Sequence, residues 1–238
     1  MLNYGIDSLV QQLAQGRHTL CLVGGGGKTT LLYELAQLLA ARGRRVLVLT
    51  STHILQPELA VYAANAVAVH RLWRQGRYAV LGTVEPGTGK LTAPPAALYA
   101  KLQRQAEVVL CEADGAKHLP CKVPAEHEPV LLEDCDIVVA VCGLDALGRP
   151  LKQACLRAEL AATLLGIDMA ASLQAEHLAR ILTEERGARK NVGSRQYYVL
   201  LNKCDVADGE QVQKLRSLLF KAGLSEEQVL LRTLPQSP

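Results

Sequence analysis

Short apolar runs alternate along the chain with longer segments in which apolar residues recur every three or four positions. The runs have the length and composition of buried β-strands, and they cover residues 18–23, 45–50, 108–111, 137–142 and 197–201. The periodic segments are typical of helices packed on a sheet, and they cover about residues 29–42, 95–105, 152–165, 173–185 and 209–222. This alternation predicts an α/β fold, with a mostly parallel sheet and helices on both faces.

One interruption of the alternation lies after the second strand. Within residues 55–91, the runs at 78–84 and 90–91 are separated by Pro86 and Gly87, which predicts a small hairpin inserted beside the main sheet. Residues 186–195 are basic, contain glycine and lack periodicity, so a mobile loop is expected there. The chain has no internal repeat, and we expect residues 1–238 to form a single domain.

Composition and charge exclude several classes of protein. Apolar residues make up 49% of the 238 residues, which is enough to bury a core. The 26 Lys and Arg residues against 23 Asp and Glu leave a formal charge of +3, so neither a nucleic-acid nor a membrane binder is indicated. Polar residues interrupt every long apolar stretch, so no transmembrane helix is expected. Seven cysteines without a Cys-x-x-Cys pair fit a reducing cytoplasm.

A glycine-rich loop between the first strand and the first periodic helix gives the strongest chemical signal. It reads, in order, Gly24, Gly25, Gly26, Gly27, Lys28, Thr29 and Thr30. Glycines let backbone amides approach phosphate oxygens, and the helix N-terminus adds a positive dipole. In an open loop, Lys28 would reach the β- and γ-phosphates and the Thr29 hydroxyl would bind Mg²⁺. The alternative is a tight strand–helix turn that merely contains a lysine. The loop predicts a P-loop NTPase fold.

Two acids follow the strand at residues 108–111. In a P-loop enzyme, a carboxylate at a neighbouring strand end holds Mg²⁺, and we expect Asp114 to do this through water. Glu112 would polarise the attacking water, which makes Lys28, Glu112 and Asp114 the catalytic candidates. The alternative is that both acids are ordinary loop residues.

Asn202, Lys203 and Asp205 match the N-K-x-D pattern of GTP-binding proteins. A carboxylate at Asp205 can accept both N–H groups on one edge of guanine, and adenine presents no such pair. Asn202 would bond the other edge of the base, and the stem of Lys203 would pack on the ring. The alternative is a polar turn in which Asp205 or Asp208 caps the next helix.

Further polar residues are candidates for switch or substrate contacts. Hydroxyl groups after the second strand could sense a γ-phosphate, and a Glu-His-Glu loop between Pro124 and Pro129 could hold a metal or a substrate. Ordinary turn hydroxyls and a solvated loop are the alternatives. The candidates are Thr50, Thr52, His53, Lys117, Glu126, His127, Glu128 and Asp145.

Six motifs together resemble the YqeC family, over roughly residues 5–225. They lie at residues 24–30, 50–54, 112–117, 124–129, 143–148 and 202–205. The resemblance implies an accessory protein of selenium-dependent molybdenum hydroxylases that binds GTP or ATP with Mg²⁺ and helps build or insert a selenium-containing cofactor. Its partners would be such a hydroxylase or the enzymes that build its cofactor. A homodimer is also expected, by analogy with related P-loop ATPases that form nucleotide-linked dimers, although Val23 replaces their signature lysine here.

Two other functions fit the same residues. The first is a small-molecule kinase or nucleotidyl-activating enzyme, in which Lys122, Glu126 and His127 would line an acceptor pocket. The second is a module that binds nucleotide or cofactor without hydrolysis. We therefore expect a nucleotide-binding protein that hydrolyses a phosphoanhydride, with these two functions as the alternatives.

Overall fold

Strands and helices alternate through most of the computed structural model, which describes residues 4–55, 57–58 and 60–233. The strands are β1 (His18–Gly24), β2 (Val46–Thr50), β3 (His53–Leu55), β4 (Tyr62–Ala63), β5 (Ala79–Leu81), β6 (Thr83–Glu85), β7 (Lys90–Thr92), β8 (Val108–Glu112), β9 (Cys121–Lys122), β10 (Ile137–Gly143), β11 (Cys155–Leu156), β12 (Gln196–Asn202) and β13 (Val229–Arg232). The helices are α1 (Ile6–Leu13), α2 (Lys28–Ala41), α3 (Ala66–Arg74), α4 (Ala96–Gln103), α5 (Leu151–Ala154), α6 (Ala158–Leu165), α7 (Ala175–Thr183) and α8 (Gly209–Lys221).

The central sheet has the strand order β13-β12-β10-β1-β8-β2-β5-β4 across the described residues, and neighbouring strands run parallel. The prediction of a mostly parallel sheet is confirmed. Strand β1 lies between β10 and β8, so the loop that follows β1 is flanked by the chain segments that leave those two strands. Ligands of open α/β sheets bind at this carboxyl edge.

Helices cover both faces of the sheet, as predicted. Successive residues of a strand point to opposite faces, so in β1 Leu20 and Leu22 pack with α1 and α2. Cys21 and Val23 pack on the other face, within the core that includes side chains of α3, α4 and α5 to α8. No helix in the described part of the chain has both the length and the apolarity needed to cross a bilayer.

The insertion after β2 differs from the predicted hairpin. Strands β6 and β7 form the antiparallel hairpin, with β3 pairing on β7 as a third strand. Residues 79–81 were expected in that hairpin, but they form β5 of the central sheet because Ala79, Val80 and Leu81 are all buried. Such a continuous apolar run is typical of a parallel strand covered on both faces.

Two further predictions are corrected. The helix expected over 152–165 is broken, because residues 155–156 pair with β9 and Arg157 has a left-handed backbone with a φ of 63°. Residues 186–195 are not a loose loop, because Ala188 and Val192 are buried and Lys190 donates hydrogen bonds to two backbone carbonyls. The two segments bring side chains that are distant in the sequence together beneath the loop that follows β1.

Candidate functional site

The glycine loop between β1 and α2 has a backbone that only glycine tolerates. Gly26 and Gly27 have φ angles of 80° and 125°, in the left-handed region. A Cβ atom on Gly26 would collide with the backbone of Gly143, and one on Gly27 would collide with the side chain of Asn202. Helix α2 starts at the next residue and leaves the N–H groups of its first turn without intrahelical partners. Gly27 and the first turn of α2 can therefore present several amides to an anion.

Three neighbouring segments hold this loop in place. The amide of Gly25 donates to the carbonyl of Val141 at 2.9 Å, and the amide of Gly26 donates to the carbonyl of Leu119 at 3.0 Å. The Nδ2 atom of Asn202 donates to the carbonyl oxygen of Gly26 at 2.7 Å. The loop shape is thus fixed by the segment that follows β8 and by the ends of β10 and β12.

Lys28 is folded back against the protein, contrary to the expectation of an open loop. Its side chain is only 3% exposed, and Nζ donates to the carbonyl oxygen of Gly24 at 2.6 Å. Nζ also lies 3.1 Å from Oδ1 of Asp114 and 3.6 Å from Oε1 of Glu112. The reason is electrostatic, since two buried carboxylates need a cation.

Glu112 is the carboxylate that faces the start of α2. Its Oε2 atom accepts a hydrogen bond from Oγ1 of Thr29 at 2.7 Å. Burial raises the pKa of the Glu112 carboxyl above its ordinary value, although Lys28 and the Thr29 hydrogen bond oppose that shift. Thr29 and Glu112 together place two hard oxygen atoms side by side, a donor set that suits Mg²⁺.

Asp114 lies behind the glycine loop and does not line the open cleft in front of it. Its Oδ2 atom accepts from the amide of Gly24 at 3.1 Å and lies 3.1 Å from Nζ of Lys122. Of the two acids, it is Glu112 that lines the cleft and contacts Thr29. Asp114 instead braces the loop and pairs with Lys28.

The motif at residues 202–205 divides into a buried and an exposed part. Asn202 is buried, and its Oδ1 atom accepts from Nη1 of Arg232 at 3.3 Å, so its amide braces the glycine loop instead of facing the cleft. Lys203 has a left-handed φ of 61° and pairs with Oδ2 of Asp145 at 2.7 Å. Asp205 is exposed in the following turn, and Asp208 caps α8.

The hydroxyls after β2 are used within the protein. Thr50 is buried and donates to the carbonyl oxygen of Glu112 at 3.0 Å, while the amide of Thr52 donates to the Thr50 hydroxyl at 3.0 Å. The γ-phosphate contact expected of Thr50 does not fit this burial, because its hydroxyl is held by the backbone. His53 faces the cleft, with Nε2 3.6 Å from Oε1 of Glu85.

The residues of the Glu-His-Glu loop do not converge. Glu126 and His127 are exposed, whereas Glu128 is buried against Nζ of Lys122 at 2.7 Å and Nη1 of Arg157 at 2.8 Å. Burial by itself would raise the pKa of Glu128, but hydrogen bonds from Lys122 and from the amide of Ala125 outweigh it and lower that pKa. Among the described residues, no three His, Cys, Asp or Glu side chains are grouped to hold a metal.

A row of alternating charges therefore runs beneath the glycine loop. It begins at Lys28, passes through Asp114, Lys122 and Glu128, and ends at Arg157. Lys122 is fully buried in this row, so it cannot line the acceptor pocket expected of a kinase. Arg157 was not among the predicted site residues, because only the pairing of β11 with β9 brings it close to Glu128.

The open cleft in front of the loop has a volume of about 990 Å³. Lys117 lies in its wall, next to His118, and both have a left-handed backbone. The cleft is lined by Gly26, Gly27, Lys28, Thr29, Thr30, Tyr33, His53, Ile54, Glu85, Lys90, Glu112, Gly115, Ala116, Lys117, His118 and Lys203.

A family model described as YqeC protein matches residues 20–159. A protein of Escherichia coli (strain K12), described as uncharacterized protein YqeC, is 34% identical over 217 residues, which cover 85% of each chain. Among solved structures, hydrogenase maturation factor HypB from Archaeoglobus fulgidus aligns with a TM-score of 0.43 and 12% identity, over 95% of this chain and 90% of that one.

Proposed function

Since the chain belongs to the YqeC family, we propose that it is a Mg²⁺-dependent nucleoside triphosphate-binding protein and a slow NTPase. It would act as an accessory factor in building or inserting the selenium-containing molybdenum cofactor of hydroxylases. One observation carries nucleotide binding: a loop of four glycines, two with φ angles of 80° and 125°, directly precedes a 14-residue helix and opens into a large cleft.

The phosphates would bind along the loop and the first turn of α2. Lys28 would leave the carboxylates of Glu112 and Asp114 to neutralise the β- and γ-phosphates, since its Nζ already lies beside the loop carbonyl of Gly24. Asp114 would act as a positioning residue, because it contacts Lys28 and the Gly24 amide but not the cleft.

Thr29 and Glu112 would hold the metal. Their oxygen atoms are 2.7 Å apart at the mouth of the loop, and both are of the type that Mg²⁺ prefers. Bound Mg²⁺ would neutralise charge on the β- and γ-phosphate oxygens. The base would lie toward β12, where Lys203 lines the cleft and Asp205 follows it. Asp205 favours guanine over adenine.

The metal assignment is tested by comparing Glu112→Gln with Asp114→Asn. Calorimetric titrations of GTP with and without Mg²⁺ should show that Glu112→Gln loses most of the Mg²⁺-dependent gain in affinity. Asp114→Asn should weaken binding to a similar extent with and without the metal, because it acts through Lys28. The reverse pattern would assign the metal-binding role to Asp114. The absence of any nucleotide binding by the wild type would refute the proposal.

The accessory role is tested by turnover. GTP hydrolysis should be slow for the protein alone and should rise when a purified selenium-dependent molybdenum hydroxylase is added. Turnover that needs a small-molecule acceptor but no hydroxylase would favour the alternative function of a small-molecule kinase. No turnover under either condition would favour a module that binds nucleotide without hydrolysis.

A further inference from the structure

We propose that the wall of the cleft away from β12 is a binding site for a second small molecule, one that carries a phosphate, sulfate or carboxylate group. The site consists of Lys117 and His118 after β8, and of Lys90 and His53 on the small antiparallel sheet. The proposal rests on the proposed function only in that the nucleotide fills the glycine loop.

The strand order separates this wall from the nucleotide base. The glycine loop follows β1, and the Lys203 end of the cleft follows β12, two strands away on one side. The segment with Lys117 follows β8 on the other side of β1, and the antiparallel sheet begins just after β2, one strand further out. A nucleotide that runs from the loop toward Lys203 therefore leaves the opposite wall open.

Charge makes the wall attractive to an anion. Of the lysines that line the cleft, Lys28 pairs with Glu112 and Asp114, and Lys203 pairs with Asp145. The ammonium groups of Lys90 and Lys117 are exposed and have no hydrogen bond or ion pair with other described residues. Glu85 also lines the cleft, opposite Lys90 on the β6–β7 hairpin, and its Oε1 atom lies 3.6 Å from Nε2 of His53. Two lysines and one carboxylate leave this wall with a net positive charge.

The Lys117 segment is held rigidly at both ends. Nζ of Lys122 donates to the carbonyl oxygen of Gly115 at 2.7 Å, and the carbonyl of Leu119 accepts from the amide of Gly26 at 3.0 Å. Between these anchors, Lys117 and His118 have φ angles of 48° and 62°, which non-glycine residues adopt rarely and which cluster at functional sites. The fixed ends present both side chains to the cleft beside the loop.

The opposite side of the wall is also anchored. Ile54 on β3 and Leu91 on β7 are buried in the core beneath α2, so their neighbours His53 and Lys90 stay over the cleft. The cleft volume of about 990 Å³ lies near the upper end of the range of about 300–1,000 Å³ for small-molecule sites. There is room for a second ligand beside the nucleotide.

Inorganic phosphate is the probe for this site. The full-length protein is first saturated with Mg²⁺ and β,γ-imido GTP, and phosphate is then titrated by calorimetry at constant ionic strength. We expect Lys90→Ala/Lys117→Ala to bind phosphate about tenfold more weakly than the wild type, because two charge-assisted contacts are lost. The matched control is Lys101→Ala/Lys221→Ala, which removes the same charge from exposed positions on α4 and α8 and should bind phosphate like the wild type.

Several outcomes would overturn the inference. One such outcome is that phosphate does not bind the nucleotide-loaded wild type, and another is that it binds both double variants equally well. A third is that phosphate displaces the nucleotide, because the phosphate would then lie in the glycine loop. A Lys90→Ala/Lys117→Ala variant that loses affinity for GTP but keeps its affinity for GDP would show that these lysines bind the γ-phosphate instead. If the wild type binds no nucleotide, the proposed function fails too; if nucleotide binds and phosphate does not, only this inference fails.

Discussion

At the scale of single residues, Lys28 has two sets of partners that exclude each other. In the structure its ammonium group lies 3.1 Å from Asp114 and 3.6 Å from Glu112, with almost no exposure to solvent. In the proposed function, the same ammonium group binds the phosphates of the nucleotide. The residue is therefore part of the buried charge balance whenever the loop is empty, and its removal affects stability as well as binding.

Lys28→Ala should abolish nucleotide binding and lower the free energy of unfolding by about 3–5 kcal/mol, because a buried charge pair loses its cation. Calorimetry and urea unfolding measure the two effects. The double variant Lys28→Ala/Glu112→Gln should recover part of the lost stability, since Asp114 keeps Lys122 as a partner and the carboxylate that lost its cation is gone. Lys152→Ala, at an exposed site, should change stability by no more than about 0.5 kcal/mol. Lys28→Ala with wild-type stability would contradict the role in the buried charge balance.

Asp205 is the residue that should set the base preference. The wild type should bind GTP about ten- to a hundredfold more tightly than ATP, because a contact to a charged group contributes about 1.5–3 kcal/mol. Asp205→Asn should shift the preference toward xanthine nucleotides, whose 2-oxo group accepts where guanine donates. Competition titrations with the three triphosphates measure both effects. Equal affinity of the wild type for GTP and ATP would reduce the motif to a turn.

At the scale of elements, the β9–β11 pair joins the loop at residues 124–129 to α6. Glu128 lies between Lys122 at the end of β9 and Arg157 at the start of α6, so one carboxylate links two short strands and a helix. The sequence shows none of this, because the helical period across 152–165 hides the break at Arg157. Local propensity favoured one helix, and the strand pairing interrupts it.

Glu128→Gln should lower the free energy of unfolding at pH 7 by about 1–3 kcal/mol. The pKa of Glu128 is lowered in the folded protein, so its carboxylate stabilises the fold at pH above the ordinary value of 4.5. That contribution is lost as the pH falls below this value, and the two proteins should then converge in stability. Glu126→Gln, at the exposed neighbour, should match the wild type throughout. A difference that is the same at pH 3 and pH 7 would contradict the ion-pair role.

At the scale of the whole molecule, much of the fold follows from the sequence. The five long apolar runs correspond to β1, β2, β8, β10 and β12. The short strand β4 and the edge strand β13 were not predicted from the sequence. Two to four residues are too few to show a strand pattern, and these segments become strands only because they pair with β5 and β12. Glu112, Lys117 and Lys203 belong to segments that are far apart in the sequence, and they share a cleft at the carboxyl edge of the sheet.

The contacts of the two acids were harder to predict. Alternation along β8 places Glu112 on the same face as Leu110, which packs in the core with α2, so the sequence held a signal that Glu112 points toward Thr29. Asp114 lies beyond the strand, where alternation ends, and its direction depends on Lys122 and the Gly24 amide. Such contacts come from segments that only the completed fold brings together.

The alternating charges beneath the loop also bear on the order in which ligands can bind. If Lys28 moves to a phosphate, the row that remains, Asp114, Lys122, Glu128 and Arg157, is still neutral, with two cations and two carboxylates. Glu112 alone then loses its cation, in a site where burial already disfavours its ionised form. A divalent ion bound beside Thr29 would balance the charge of the Glu112 carboxylate. A triphosphate and its metal ion should therefore bind together, because a triphosphate without the metal would leave that buried carboxylate without a cation.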